Sequence, residues 1–203
     1  MKIPPGPPFI LRVNQMTNDI KILAFAGSLR KDSYNKALVK AAAELRIEGV
    51  TIEIFDLDGI PLYNQDLEKD EPARVKEFKA SIRSADALLI AIPEYNRSLP
   101  GVLKNAVDWA SRPYGDNSFD DKPVATFGAT VGSIGTAVAQ YHFREIAAFL
   151  NMHPLERPQM FVTDAHKKIN NGIVVDEETK RRIAEMVDAL VKWTKRISSV
   201  QTK

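Results

Sequence analysis

The chain has 203 residues, 44% of them apolar and 27% charged, which is enough for one domain with a sizeable core. A net charge of only +2 gives no push towards nucleic acid or an anionic membrane. The absence of cysteine excludes disulfides, thiolate metal sites, iron–sulfur clusters and cysteine nucleophiles.

No apolar run approaches the ~20 residues that span a bilayer. The start lacks a charged-then-apolar signal pattern. A cytoplasmic location without membrane insertion is therefore expected. Residues 1–18 hold Pro4-Pro5-Gly6-Pro7-Pro8. Proline fixes φ and removes donors, so this segment is expected to be a flexible, non-helical arm.

From Asp19 strand and helix patterns alternate. Lys21 to Ala26 is almost wholly apolar, as a strand buried on both faces reads. A helix is expected from about Ser33 to Arg46, with Asp32 or Ser33 as N-cap and Gly49 beyond its end. Thr51 to Phe55 is β-branched and alternating, a second strand. Asp56 to Asp70 reads as a loop of functional length. A second helix follows from Pro72 to about Ser84. Ala87 to Ile92 is a third strand, stopped by Pro93. A third helix starts near Pro100 with Leu103, Val107 and Ala110 on one face. Residues 111–121 are a polar loop, Pro123 to Phe127 a fourth strand, and Gly128 to Gly135 a small-residue loop. A long helix is expected from about Thr136 to Leu150. A short fifth strand lies within Met152 to Val162, broken by Pro154 and Pro158. Asn170-Asn171-Gly172 marks a turn, and the last helix opens at Asp176.

This alternation predicts an α/β three-layer domain over residues 19–198 with a parallel sheet. Ligands in such sheets sit beyond the carboxyl ends of the strands, at the switch point in strand order. In the order 2-1-3-4-5, strands 1, 3 and 4 are neighbours. Their loops, 27–35, 93–98 and 128–135, then converge on one site.

The first loop reads Ser28-x-Arg30-x-x-Ser33-x-Asn35 and opens a helix. It matches neither the dinucleotide nor the P-loop fingerprint. Ser28, Ser33 and Asn35 offer neutral donors and Arg30 a charged one, a set that suits a terminal phosphate. A plain N-capped surface turn is the competing interpretation. The second loop, Pro93-Glu94-Tyr95-Asn96-Arg97-Ser98, is bracketed by prolines. Its backbone suits the polar edge of a planar ring, and Tyr95 could supply an aromatic wall. It could also simply cap the next helix, with Glu94 and Arg97 as a solvated ion pair. The small residues of the third loop would let a flat ligand approach the backbone.

Gly27-Ser28-Leu29-Arg30 with Ser33 and Asn35, then Pro93-Glu94-Tyr95-Asn96, then Leu103-Lys104-Asn105-Ala106-Val107-Asp108-Trp109, resembles the NADPH-dependent FMN reductase family. The branch with bacterial chromate and quinone reductases is the nearest, and the resemblance covers residues 20–195. It implies a flavodoxin-like fold and non-covalent FMN. Carried over, Ser28, Arg30, Ser33, Tyr34 and Asn35 would surround the FMN phosphate. Pro93, Glu94, Tyr95 and Asn96, flanked by Arg97 and Ser98, would line the ring, with Ala129 closing the other side. The resemblance also implies NAD(P)H as donor, a small acceptor such as a quinone, chromate, azo compound or free flavin, and a homodimer or homotetramer. Arg97 and Gly135-Thr136 depart from the family pattern at the expected mouth.

No catalytic acid, base or metal site is assigned. His142, His153 and His166 lack metal-ligand spacing. Trp109, Tyr141, Phe143 and Phe149 are expected in packing or a subunit interface. Arg112 and Arg144 are expected either across an interface or in solvent. Three other outcomes remain open: a flavodoxin-type electron carrier, a flavin-free regulatory domain of the same fold, and a reductase that releases reduced FMN to a partner oxygenase.

Overall fold

β1 (Ile20–Ala26) is buried along nearly its whole length, since only Lys21 interrupts its apolar run. β3 (Ala87–Ala91) and β4 (Pro123–Ala129) are buried throughout. β2 (Val50–Phe55) is more exposed, as its alternating sequence requires of an edge strand. These strands come from a computed structural model that describes residues 19–201; the proline-rich arm expected over residues 1–18 lies outside the described residues. All pairings in the main sheet are parallel, in the order β2-β1-β3-β4-β5. The expected three-layer, flavodoxin-like order is thus the observed one.

The fifth strand is two pieces. β5 (His153–Pro154) pairs with the start of β4, and β6 (Met160–Val162) pairs with its end. Pro154 and Pro158 carry no N–H, so residues between the pieces cannot hold a continuous ladder.

Helices cover both faces. α1 (Tyr34–Ala43) and α6 (Glu177–Gln201) pack on Ile22, Ala24, Leu89 and Phe127 through Leu38, Ala42, Val187 and Leu190. α2 (Ala73–Ser84), α3 (Gly101–Ala110) and α4 (Ala137–Phe149) cover Leu23, Phe25, Leu88 and Ile90 through Phe78, Leu103, Val107 and Phe143. Adjacent residues of one strand thus feed opposite layers, the period of two that a strand imposes. Phe78 sits edge-on to Phe25 with ring centroids 5.3 Å apart, and 4.9 Å from Phe55. Truncating it to alanine would cost about 3–5 kcal/mol.

α1 stops at Ala43, short of Arg46, because the chain tightens there: Leu45 N–H donates to the Ala42 carbonyl. Gly49, with φ +69°, then turns it into β2. The 56–70 loop ends in a 3-10 helix, Gln65–Asp70, capped by the Asn64 side chain. The turn expected at 170–172 is the tip of a two-stranded hairpin, β7 (Ile169–Asn170) and β8 (Ile173–Val174). A single helical turn, α5 (Ala165–Lys168), precedes it. Asp176 caps α6 by accepting from the Thr179 N–H and hydroxyl at 2.8 and 2.6 Å.

Lys79 of α2 is buried. Its ammonium donates to Glu71, to the Arg112 carbonyl at 2.6 Å and to Asp116 Oδ2 at 2.8 Å. That ties α2 to the loop after α3. Among the described residues no helix is long and apolar enough to cross a membrane, and no acidic or histidine cluster could hold a metal ion.

Candidate functional site

β1, β3 and β4 end side by side. Gly27 N–H donates to the Ala91 carbonyl at 2.9 Å, and Ile92 N–H to the Phe127 carbonyl at 2.8 Å. The three loops singled out in the sequence therefore leave one edge of the sheet together, at the carboxyl ends.

In the first loop Ser33 is the N-cap of α1. Its hydroxyl accepts from Lys36 N–H at 3.4 Å. The Ser28 hydroxyl accepts from Arg30 N–H at 3.3 Å. Each hydroxyl is buried and takes a backbone proton, which leaves its own proton for an outside oxygen. The exposed Arg30 guanidinium lies 5.2 Å from the Tyr34 ring centroid. The first turn of α1 carries no acidic side chain. Two hydroxyl donors, a guanidinium and a helix start with positive polarity form a donor set that fits a phosphate group. Gly27 is needed for the approach: a Cβ there would lie 2.9 Å from Leu103 Cβ.

Asn35 is buried, and its carboxamide pairs with both backbone groups of Ala129. Nδ2 donates to the Ala129 carbonyl and Oδ1 accepts from the Ala129 N–H, each at 3.0 Å. It bridges the first and third loops. Thr130 N–H then donates to the Val162 carbonyl, which fixes the third loop on β6.

The second loop is a tight hairpin. Tyr95 and Ser98 exchange N–H···O bonds at 3.0 Å each way, and the two residues between them have positive φ, Asn96 +50° and Arg97 +63°. This is a type I′ turn. Tyr95 is half exposed and Arg97 exposed. Glu94 does not pair with Arg97. Its carboxylate accepts from Val138 and Ala139 N–H at 3.0 and 3.2 Å, capping α4. Thr136, the residue at that helix start, has φ +68° and offers no side-chain cap. Ser98 Oγ lies 3.1 Å from His142 Nδ1.

Asn105 and Trp109 have a role that the sequence alone did not assign. Asn105 Oδ1 accepts from Tyr63 N–H at 2.7 Å, and its Nδ2 donates to the Pro61 carbonyl at 2.8 Å. Trp109 Nε1 donates to the same carbonyl at 2.8 Å. The two side chains, four apart on α3, pin the 56–70 loop. Their i,i+4 spacing on one helix face was the available signal. Tyr63 hydroxyl and Arg112 Nε both donate to Glu68 Oε1 at 2.6 Å. Arg112, then Tyr63, hold the Glu68 carboxyl below the usual carboxylate range. Glu68 in turn raises the Tyr63 phenol and the Arg112 guanidinium.

Other singled-out residues lie elsewhere. Trp109 and Phe143 are core; Tyr141 and Phe149 are exposed, Phe149 at 87%. Arg112 and Arg144 pair within the chain, with Glu68 and Glu156. His153 faces Asp121 and His166 lies on α5, so the three histidines are not brought together.

A model of the family described as NADPH-dependent FMN reductase matches residues 20–167. The chain is 45% identical over 184 residues to an NAD(P)H-dependent FMN reductase of Pseudomonas aeruginosa, covering 90% of this chain and 99% of the relative. It is 44% identical over 177 residues to a 2-hydroxy-1,4-benzoquinone reductase of a Burkholderia species, covering 87% and 97%. Among solved structures, a flavoenzyme NAD(P)H:(acceptor) oxidoreductase from Paracoccus denitrificans superposes with a TM-score of 0.79 at 37% identity, covering 87% and 98%.

Proposed function

The chain belongs to the NADPH-dependent FMN reductase family, and on that premise we propose that it is an FMN-dependent NAD(P)H oxidoreductase whose acceptor is a small quinone. FMN, when bound, would supply the redox chemistry, acceptance of hydride from NAD(P)H and delivery of electrons to the acceptor. The observation that carries this is the convergence of the first loop's phosphate donors with the stiff 93–98 turn at one sheet edge. Two relatives named for quinone reduction favour the quinone over chromate, azo compounds or free flavin.

The protein's part is to hold and expose the cofactor. Ser28, Arg30, Ser33, Tyr34 and Asn35 lie at the phosphate end. Pro93, Glu94, Tyr95, Asn96, Arg97 and Ser98 lie at the ring end, with Ala129 opposite. Since the Glu94 carboxylate is engaged by α4, loop 93–98 would meet a ring through backbone groups and Tyr95. No side chain here is given a proton-transfer role. In this proposal residues 19–198 are a single FMN-binding domain, built on one sheet, with residues 1–18 as an appended arm. A homodimer or homotetramer is part of it too, supported by the exposed Phe149 and Tyr141 on α4; light scattering gives the mass.

The test is direct. Gel-filtered protein should be yellow, bleach with NADPH or NADH under nitrogen, and recolour on adding 1,4-benzoquinone. Retained colour that neither nucleotide bleaches would mark a flavodoxin-type carrier. Flavin lost on the column, with turnover of added FMN, would mark a reductase that releases its product. Colourless protein without FMN affinity would refute the proposal.

A further inference from the structure

We infer that Asn35 is a positioning residue that sets the spacing between the phosphate end and the ring end of the flavin site, rather than a phosphate contact. The inference rests on the FMN assignment above.

The reason lies in the β4 ladder. Phe127 and Ala129 are two apart on β4, so their peptide groups face the same side, towards β3. Phe127 is served there: its carbonyl accepts from Ile92 N–H at 2.8 Å. Beyond Ile92, however, β3 ends. There the chain turns away into the Tyr95–Ser98 hairpin, so the next residue that would face β4, Glu94, brings no ladder bond to Ala129. The Ala129 N–H and carbonyl are left in the interior without a strand beside them. Asn35 fills that place. A carboxamide carries a donor and an acceptor side by side, as a peptide group does, and both are used, each at 3.0 Å.

The placement has a functional consequence. Asn35 is the second residue of α1, two after the Ser33 cap, so its backbone belongs to the phosphate end. Ala129 opens the third loop, opposite the ring end. One side chain, spanning 94 positions of sequence, therefore sets the gap between them. A phosphate contact through the paired Nδ2 proton would need the amide to turn away and leave two buried backbone groups unpaired, so the second Nδ2 proton is the one amide donor not already committed to Ala129.

The two roles separate on paired ligands. FMN and riboflavin differ only in the phosphate, so dissociation constants for both would be measured by flavin fluorescence on wild type, Asn35→Ala and Arg30→Ala. Displacing the third loop should hurt both ligands alike. Asn35→Ala is expected to weaken FMN and riboflavin each by tenfold or more, with their ratio within about twofold of wild type. The absorption spectrum of the FMN-saturated variant should also shift. Arg30→Ala is expected to weaken FMN alone and leave the saturated spectrum unchanged. Asn35→Gln keeps both amide groups but moves them by one methylene. It should give the same pattern, and it supplies the measurement if the alanine variant does not fold.

Loss confined to FMN at an unchanged spectrum would overturn the inference and make Asn35 a phosphate contact. Unchanged affinity for both flavins would overturn it too. Wild type that binds neither flavin would refute the FMN assignment itself, and the inference with it.

Discussion

Replacing Lys79 by methionine tests how this structure holds its second layer. The side chain is 2% exposed, and all three ammonium donors are used, on Glu71, the Arg112 carbonyl and Asp116. Methionine keeps most of the packed stem, so the loss is electrostatic rather than a cavity. Asp116 retains Arg83, 2.5 Å away. Glu71, at 14% side-chain exposure, and the Arg112 carbonyl lose their ammonium. Breaking a buried pair from one side costs about 3–5 kcal/mol, and the lower end applies because Glu71 lies near the surface. At a urea m-value of about 2 kcal/mol/M, ~3 kcal/mol lowers the midpoint by ~1.5 M. Unfolding would be followed by circular dichroism at one fixed FMN concentration, since ligand shifts the midpoint by mass action. The double variant Lys79→Met/Glu71→Gln should recover about half of the loss, because the stranded charge is gone. A midpoint drop below ~0.5 M, or no recovery in the double variant, would refute the reasoning.

Three further outcomes are expected. Arg30→Ala should weaken FMN binding by about 1.5–3 kcal/mol, the scale of a hydrogen bond to a charged group, with the gap narrowing as salt rises; equal affinity would remove Arg30 from the phosphate site. Glu68 and Asp116 have carboxyl groups held below their usual range, Glu68 chiefly by Arg112 and Asp116 chiefly by Lys79. Their contribution is therefore fully present above the unfolded carboxylate range near pH ~4 and is lost as pH falls through the lower folded values. Urea midpoints should decline with acid across that window, and Glu68→Gln should flatten part of the decline; an identical profile would count against the Arg112–Glu68 pair. Asn105→Ala removes the bonds to Tyr63 N–H and the Pro61 carbonyl, at a cost of about 1–3 kcal/mol. Hydrogen exchange should then rise over residues 61–70 and stay unchanged in β1, β3 and β4.

The three inner strands were legible because apolar residues at nearly every position leave them no face for water. Their loops were legible because each interrupts such a run with glycine, proline or hydroxyl residues. What the sequence did not disclose is where side chains cross between loops. Asn35 reads in the sequence as a phosphate donor, and nothing there shows that Ala129, 94 positions away, takes its carboxamide. Glu94 reads as a candidate ion-pair partner of Arg97, and nothing in the sequence shows that the left-handed Thr136 leaves the start of α4 for its carboxylate to cap. The split of the fifth strand turns on how far two prolines displace the chain, and the β7–β8 hairpin on whether two short flanks find each other. Both are tertiary outcomes that local preference does not fix.

The tip of the Tyr95–Ser98 turn has an implication for how such a scaffold diversifies. Both central residues are left-handed, and for arginine that backbone costs about 1–2 kcal/mol relative to glycine. A turn under no other demand would carry glycine at Arg97. Closed on both sides by the Tyr95–Ser98 bonds, the tip accepts new side chains but no added length. On the proposed placement of this turn at the ring end, changes in acceptor range are expected from replacements at positions 96 and 97 rather than from insertions. A library randomised at those two codons alone would explore that range without disturbing the loops on either side.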